Sequence, residues 1–135
     1  MPVPAPSPDA RAVVTGASQN IGEALATELA ARGHHLIITA RRAEVLAEVA
    51  QRITDRYGVT VEVRACDLTD PADRDNLCEE LAQRNISILC ANAGTATFGT
   101  VAELPIEGEK AQVQLNVQGV HDLVLAVLPG MIARH

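Results

Sequence analysis

The stretch Ala12-Val13-Val14-Thr15-Gly16-Ala17-Ser18-Gln19-Asn20-Ile21-Gly22 decides the fold. Its first three residues are the short apolar run that a buried strand needs, and the run ends at Thr15-Gly16. From Ile21 the apolar spacing becomes Ile21, Leu25, Leu29, one face of a helix that stops near Gly33. Between strand and helix lies a turn of small residues, through which a backbone can approach an anion. The helix behind it offers amide donors and a positive dipole end. A tight turn without a ligand reads the same way, so the position of the turn after the first strand weighs more than its glycines.

Working outward, Leu36 to Thr39 is a continuous apolar run, as strands covered on both faces require. A second helix carries Leu46, Val49, Ala50 and Ile53 on one face and ends at Gly58. Thr60 to Ala65 alternates like a strand. Asp70 then caps a third helix with Pro71 at its first position and Leu77 and Leu81 inside. Ile86 to Ala91 is a fourth strand, and Val113, Val117, Val120, Val124, Val127 and Met131 form one apolar stripe on a long last helix. The order βαβαβαβα predicts an α/β fold with a parallel sheet covered by helices, because parallel neighbours need crossovers.

Composition bounds the rest. A chain of 135 residues, 47% apolar, supports one domain. Surface scaling lets such a domain bury about two-thirds of its extended-chain surface. Its core must be aliphatic, since Tyr57 and Phe98 are the only aromatics, and this argues against stacking platforms for single-stranded nucleic acid. Seventeen acids against eleven bases give a net charge of −6, which opposes binding to nucleic acid or to anionic membranes. Cys66, Cys78 and Cys90 are odd in number and lack CxxC spacing, as expected of a reduced, cytoplasmic protein. His34 and His35 are adjacent while His121 and His135 stand alone, so no metal site is expected. Prolines at positions 2, 4, 6 and 8 predict a mobile extended arm over 1–10, leading into a domain over 11–135. A secretory signal is not supported, and without about 18 uninterrupted apolar residues no transmembrane helix is expected.

Strand two ends at Ala40-Arg41, followed by Arg42. In dinucleotide folds an acid here holds the ribose hydroxyls, whereas a basic residue accommodates a 2′-phosphate. The absence of a carboxylate at Ala40 and the guanidinium of Arg41 favour NADP over NAD, and Ser18 can add a hydroxyl donor. Two solvated arginines opening a helix are the alternative.

These residues resemble the short-chain dehydrogenase/reductase family, whose glycine motif is Thr-Gly-x-x-x-Gly-x-Gly. Thr15, Gly16 and Gly22 match it, with Asn20 in place of the middle glycine. Cys66-Asp67-Leu68 looks like the family's adenine-contacting Asp-Leu pair. Asn92-Ala93-Gly94 looks like its Asn-Asn-Ala-Gly signature, with Ala91 in place of the first asparagine. Asn116 falls where the family places the asparagine of its Asn-Ser-Tyr-Lys catalytic set. The resemblance spans Ala12 to Arg134 and implies a Rossmann-type doubly wound parallel sheet, incomplete, with about four of the family's strands. It implies cofactor contacts from Gly16, Ser18, Asn20, Ile21, Gly22, Arg41, Asp67, Leu68, Asn92, Ala93 and Gly94, and a catalytic role for Asn116.

Asparagine tolerates positive φ, so the turn at Asn20 is expected to survive with a side chain beside the pyrophosphate. Ala91 is expected to alter local hydrogen bonding without loss of the fold. Apart from the family, Asp67 and Asn92 also read as turn caps and Cys66 and Cys90 as small core residues on strands. Asn116 also reads as a surface residue, yet it lies near the stripe of Val113, Val117 and Val120, where a buried polar group needs partners.

In the resembled family a Tyr-x-x-x-Lys pair and an upstream serine move the proton. Here Tyr57 is followed four residues later by Val61, Lys110 is preceded by Ile106, and Ser7, Ser18 and Ser87 all come before Asn116. The chain is therefore expected to be an N-terminal portion, inactive alone, with Ile86 to Ala91 an apolar edge that a fifth strand would cover. For the whole polypeptide the resemblance implies NADPH-dependent reduction of a ketone or oxidation of an alcohol, a 3-oxoacyl thioester among the candidates. It also implies a homo-oligomer that buries the valine stripe. A non-catalytic dinucleotide-binding or regulatory protein, or an inactive fragment, is the alternative.

Overall fold

The computed structural model describes residues 3–134, so Met1 and Pro2 of the expected arm and His135 at the end of the expected domain lie outside the described residues. The elements in order are β1 (Arg11–Thr15), α1 (Asn20–Ala31), β2 (Leu36–Ala40), α2 (Ala43–Tyr57), β3 (Val61–Ala65), α3 (Pro71–Ala82), β4 (Ile86–Cys90), α4 (Ile106–Val113) and α5 (Val120–Ala133). A π-helical turn, Gln114–Gly119, joins α4 to α5.

The four strands form one parallel sheet in the order β3-β2-β1-β4. The central strands are buried and mostly apolar because both their faces are covered. Val14, Leu36 and Ile38 point to one side with Leu46, Val49 and Ile53 of α2 and Ala26 and Leu29 of α1. Val13 and Ile37 point to the other, with Leu77 and Leu81 of α3 and Leu123 and Val127 of α5. The sheet is thus parallel and covered by helices, as the alternation of elements predicts, and doubly wound, as the family resemblance implies. The stop and start signals also act as read: Gly58 takes φ 68 behind α2, and Asp70 accepts a hydrogen bond of 2.9 Å from the Asp73 amide ahead of α3.

Two faces differ from the sequence reading. Ile21 is 70% exposed, and α1 instead turns Gly22, Ala26, Leu29 and Ala30 inward, small residues that allow it to lie close to the sheet. The valine series is not one stripe. Val113, Val117 and Val124 are exposed while Val127 is buried, and the inward residues of α5 are Leu123 and Val127. The π turn separates Val113 and Val117 from the α5 face: it winds more residues per turn than an α-helix, so the phase read through it slips. Smaller corrections concern the cysteines. Cys66 lies just beyond β3 and is buried, whereas Cys90, on the edge strand β4, is half-buried. Burial, with help from Asp73 and Asp67, pushes the Cys66 thiol up to about 12, so it stays neutral.

The helical segment Ile106–Ala133 is long and apolar enough to cross a membrane by length and composition alone. This departs from the count of uninterrupted apolar residues. Part of its apolar character is used within the fold, since Leu123 and Val127 pack on the side of the sheet that α3 covers.

His34, between α1 and β2, is 3% exposed, and burial followed by the nearby Arg32 charge holds its imidazole below the usual histidine range. The folded state therefore disfavours the imidazolium. Stability is complete above about pH 6.5, the unfolded value, and declines as pH falls below it. A thermal-melt series from pH 7.5 to 5 is expected to show this decline in the wild type and a smaller one in His34→Phe. Equal slopes would remove His34 as its source.

Candidate functional site

The loops that leave the carboxyl ends of the four strands border a single cleft of about 830 Å³. It opens where the strand order reverses, since β2 and β3 lie on one side of β1 and β4 on the other. Ligands of open α/β sheets occupy this crevice. Gly16, Ser18, Asn20, Ile21, Arg41, Asp67, Leu68, Asn92, Ala93 and Gly94 all line it. Gly22 lies buried beneath the lining, and Asn116 stands behind Gly94.

The floor is a close three-way contact. Gly16 adopts φ 66, and a Cβ there would lie 2.9 Å from the Ala93 Cα. A Cβ on Gly22 would lie 2.1 Å from the Gly16 carbonyl oxygen and 2.7 Å from Asn92 Nδ2. Asn20 holds the left-handed conformation at φ 52 where the family motif has glycine, as its tolerance of positive φ anticipates. No side chain caps the start of α1, and the first amides of a helix have no acceptor within it.

Thr15 ties the two inner loops together. Its hydroxyl accepts from the Ala93 amide at 2.9 Å, and its carbonyl accepts from Asn92 Nδ2 at 3.1 Å. Arg41 and Arg42 are both exposed, but Arg42 Nη2 donates to Gln19 Oε1 at 2.9 Å. Asp67 Oδ1 accepts from both the Thr69 amide (2.9 Å) and the Thr69 hydroxyl (2.7 Å), so this carboxylate does cap its own turn. Burial pushes the Asp67 carboxyl up, yet the Thr69 bonds and the nearby Arg41 charge outweigh it and hold it below the usual carboxylate range.

Asn116 sits in the π turn and is exposed, which corrects the expectation of a buried polar group. It has partners nonetheless: Oδ1 accepts from the Thr95 amide at 3.0 Å and Nδ2 donates to the Thr95 carbonyl at 2.7 Å. The reason is geometric, because the backbone of Thr95 meets Asn116 at the surface and not in the core. Thr97 extends this attachment to Gln112 and Glu109 of α4.

Several lining residues were not singled out by sequence. Thr95, Thr97, Gly108, Ala111 and Leu115 form the wall nearest α4 and follow no local motif. Thr39 also lines the cleft, its hydroxyl buried and without a partner among the described residues. Its signal was available: Thr39 pairs in register with Thr15, which places two hydroxyl residues side by side where an apolar strand pair is the norm.

A doubly wound parallel sheet with a glycine cradle under its switch-point cleft defines a Rossmann-type protein. The family model for short chain dehydrogenases matches residues 10–135, and the chain belongs to that family. It is 36% identical over 126 residues to an uncharacterized oxidoreductase of Staphylococcus saprophyticus, covering 92% of this chain and 54% of that protein. It is 36% identical over 135 residues to the very-long-chain 3-oxoacyl-CoA reductase of Anas platyrhynchos, covering 96% of this chain and 43% of that enzyme. Among solved structures, a short-chain dehydrogenase from Sphingobium yanoikuyae in complex with NADPH superposes with a TM-score of 0.89 at 36% identity, covering 92% of this chain and 49% of the other. The chain thus spans about half the length of the relatives it matches or less.

Proposed function

We propose that this chain forms the NADP(H)-binding half of a short-chain dehydrogenase/reductase that interconverts a ketone and an alcohol. The observation that carries the reading is the cradle of Gly16, Gly22 and Asn92, closed so tightly that a single Cβ would fill it, under the uncapped start of α1. That arrangement fits a pyrophosphate, which needs close backbone approach and amide donors. Bound NADPH supplies the hydride. Gly16, Ser18, Asn20 and Ile21 hold its pyrophosphate, Arg41 receives the 2′-phosphate, and Asp67 and Leu68 flank the adenine. Asn92, Ala93 and Gly94 support the opposite end of the dinucleotide. Asn116 fixes the Thr95 backbone at the end of the cleft where the nicotinamide would lie. The family's proton path would also need a serine and a Tyr-x-x-x-Lys pair, and residues 1–135 contain no Tyr-x-x-x-Lys. The NADPH complex of the Sphingobium relative supports the cofactor, and the Anas relative supports a 3-oxoacyl thioester as first substrate to test.

The reading is tested with the full polypeptide that carries this segment. Acetoacetyl-CoA or a simple ketone is expected to drive NADPH oxidation at 340 nm. NADPH binding without turnover on any carbonyl would favour a regulatory dinucleotide-binding protein instead. We also place the protein in the cytoplasm as a homo-oligomer. Val113, Val117, Leu125 and Ile132, each more than half exposed, form the apolar surface such an assembly would cover. Light scattering is expected to report a dimer or larger species for the full polypeptide, and a monodisperse monomer would refute this.

A further inference from the structure

Arg74 is the one arginine, lysine, aspartate or glutamate among the described residues that is buried, at 5% exposure on the inner face of α3. Its guanidinium serves two acceptors in different directions. Nε donates to Asp122 Oδ2 of α5 at 2.7 Å, and Nη1 donates to the Leu68 carbonyl at 2.9 Å. Asp122 in turn accepts from Gln118 Nε2 at 2.7 Å, and Gln118 belongs to the π turn that bears Asn116. The same turn rests on the loop directly, since a Cβ on Gly119 would touch Leu68 Cβ at 3.7 Å. Burial alone would push the Asp122 carboxyl up, but the Arg74 and Gln118 hydrogen bonds hold it below the usual carboxylate range.

Buried ion pairs are poor stabilisers, because desolvation opposes the Coulomb gain and well-packed apolar residues in their place are often neutral or better. The surroundings here are apolar, with Leu77, Leu81 and Leu123 in the same cluster. Stability therefore does not account for an arginine at this position, whereas holding a backbone carbonyl in place does.

We infer that Arg74 is a positioning residue for the nucleotide site: it fixes the Leu68 carbonyl, and so the Asp67-Leu68 wall of the cleft, and through Asp122 and Gln118 it locks that wall to the turn carrying Asn116. This inference rests on the nucleotide-binding reading proposed above. A lysine cannot replace the fork, since a single ammonium lacks the fixed pair of donor directions that a guanidinium presents.

The test uses the full polypeptide and three variants: Arg74→Lys, Arg74→Met and Arg74→Met/Asp122→Leu. Each is measured for thermal unfolding, for the Kd of adenosine 2′,5′-bisphosphate, and for the ratio of NADPH to NADH affinity. The double variant is expected to melt at or above the wild-type temperature yet bind the bisphosphate about tenfold more weakly, the loss of one charge-assisted hydrogen bond. Its NADPH-to-NADH ratio is expected to stay unchanged, because Arg41 is untouched. Arg74→Lys is expected to fold and to show the same weakened binding, which keeps the claim testable if Arg74→Met unfolds. Wild-type affinity in the double variant or in Arg74→Lys would overturn the inference while leaving the nucleotide reading intact. A wild type that fails to bind the bisphosphate would overturn both.

Discussion

Gly22→Ala is expected to lower the affinity for NADPH by about a hundredfold or more. The new Cβ would stand 2.1 Å from the Gly16 carbonyl oxygen and 2.7 Å from Asn92 Nδ2, so the turn between β1 and α1 must move. Neither neighbour is the free end of a flexible side chain: one is backbone, and the other is held by the Thr15 carbonyl. Overpacking of this kind costs about 1–3 kcal/mol or more, and a displacement of about 1 Å in a binding constellation can cost about a hundredfold. Fluorescence titration of NADPH measures the loss, and circular dichroism separates it from unfolding. Gly58→Ala is the matched control. Gly58, unlike Gly22, has positive φ, but nothing lies within 4 Å of its added Cβ and it is remote from the cleft. It is expected to cost stability alone, with affinity unchanged. Gly22→Ala binding within threefold of wild type would show that no phosphate is seated on this turn.

Arg41→Ala is expected to weaken NADPH by about ten- to a hundredfold while leaving NADH within twofold, since a charge-assisted bond to the 2′-phosphate is worth about 1.5–3 kcal/mol. The neighbouring arginines are not equivalent. Arg42 already donates to Gln19, while Arg41 sits exposed near Asp67 at the mouth of the cleft. Arg42→Ala is therefore expected to have the smaller effect. Raising the salt concentration should narrow the Arg41 difference, because an exposed contact is screened. Equal losses for both cofactors would remove the basis for NADP preference.

Much of this arrangement is local and so could be read from sequence. The apolar runs at Ala12–Val14 and Leu36–Ile38 are buried because they lie in the sheet's central strands, and the α2 face of Leu46, Val49, Ala50 and Ile53 follows helical spacing. The Asp70-Pro71 start of α3 is a contact between close neighbours. Gly16, Ser18, Arg41, Asp67 and Asn92, which border the cleft, could be placed because each follows a strand end. What could not be read depends on contacts distant in sequence. Asn116 reaches back 21 residues to Thr95 from within a π turn, a geometry that a regular valine spacing conceals. Nothing near Arg74 in the sequence marks it, since arginine is rarely buried, and only the meeting of α3 with Asp122, 48 residues on, reveals its place. Ile21 fits the helical spacing of Leu25 and Leu29, yet it faces the cleft and not the core.

A crystal structure of the full polypeptide grown with NADP⁺ tests the central claim most directly. The account predicts one dinucleotide along the cleft, its pyrophosphate over Gly16 and the start of α1, its 2′-phosphate on Arg41, its adenine against Asp67 and Leu68, and its nicotinamide on the side of Gly94 and Asn116. An empty cleft at saturating NADP⁺, or a dinucleotide bound elsewhere on the fold, would contradict it.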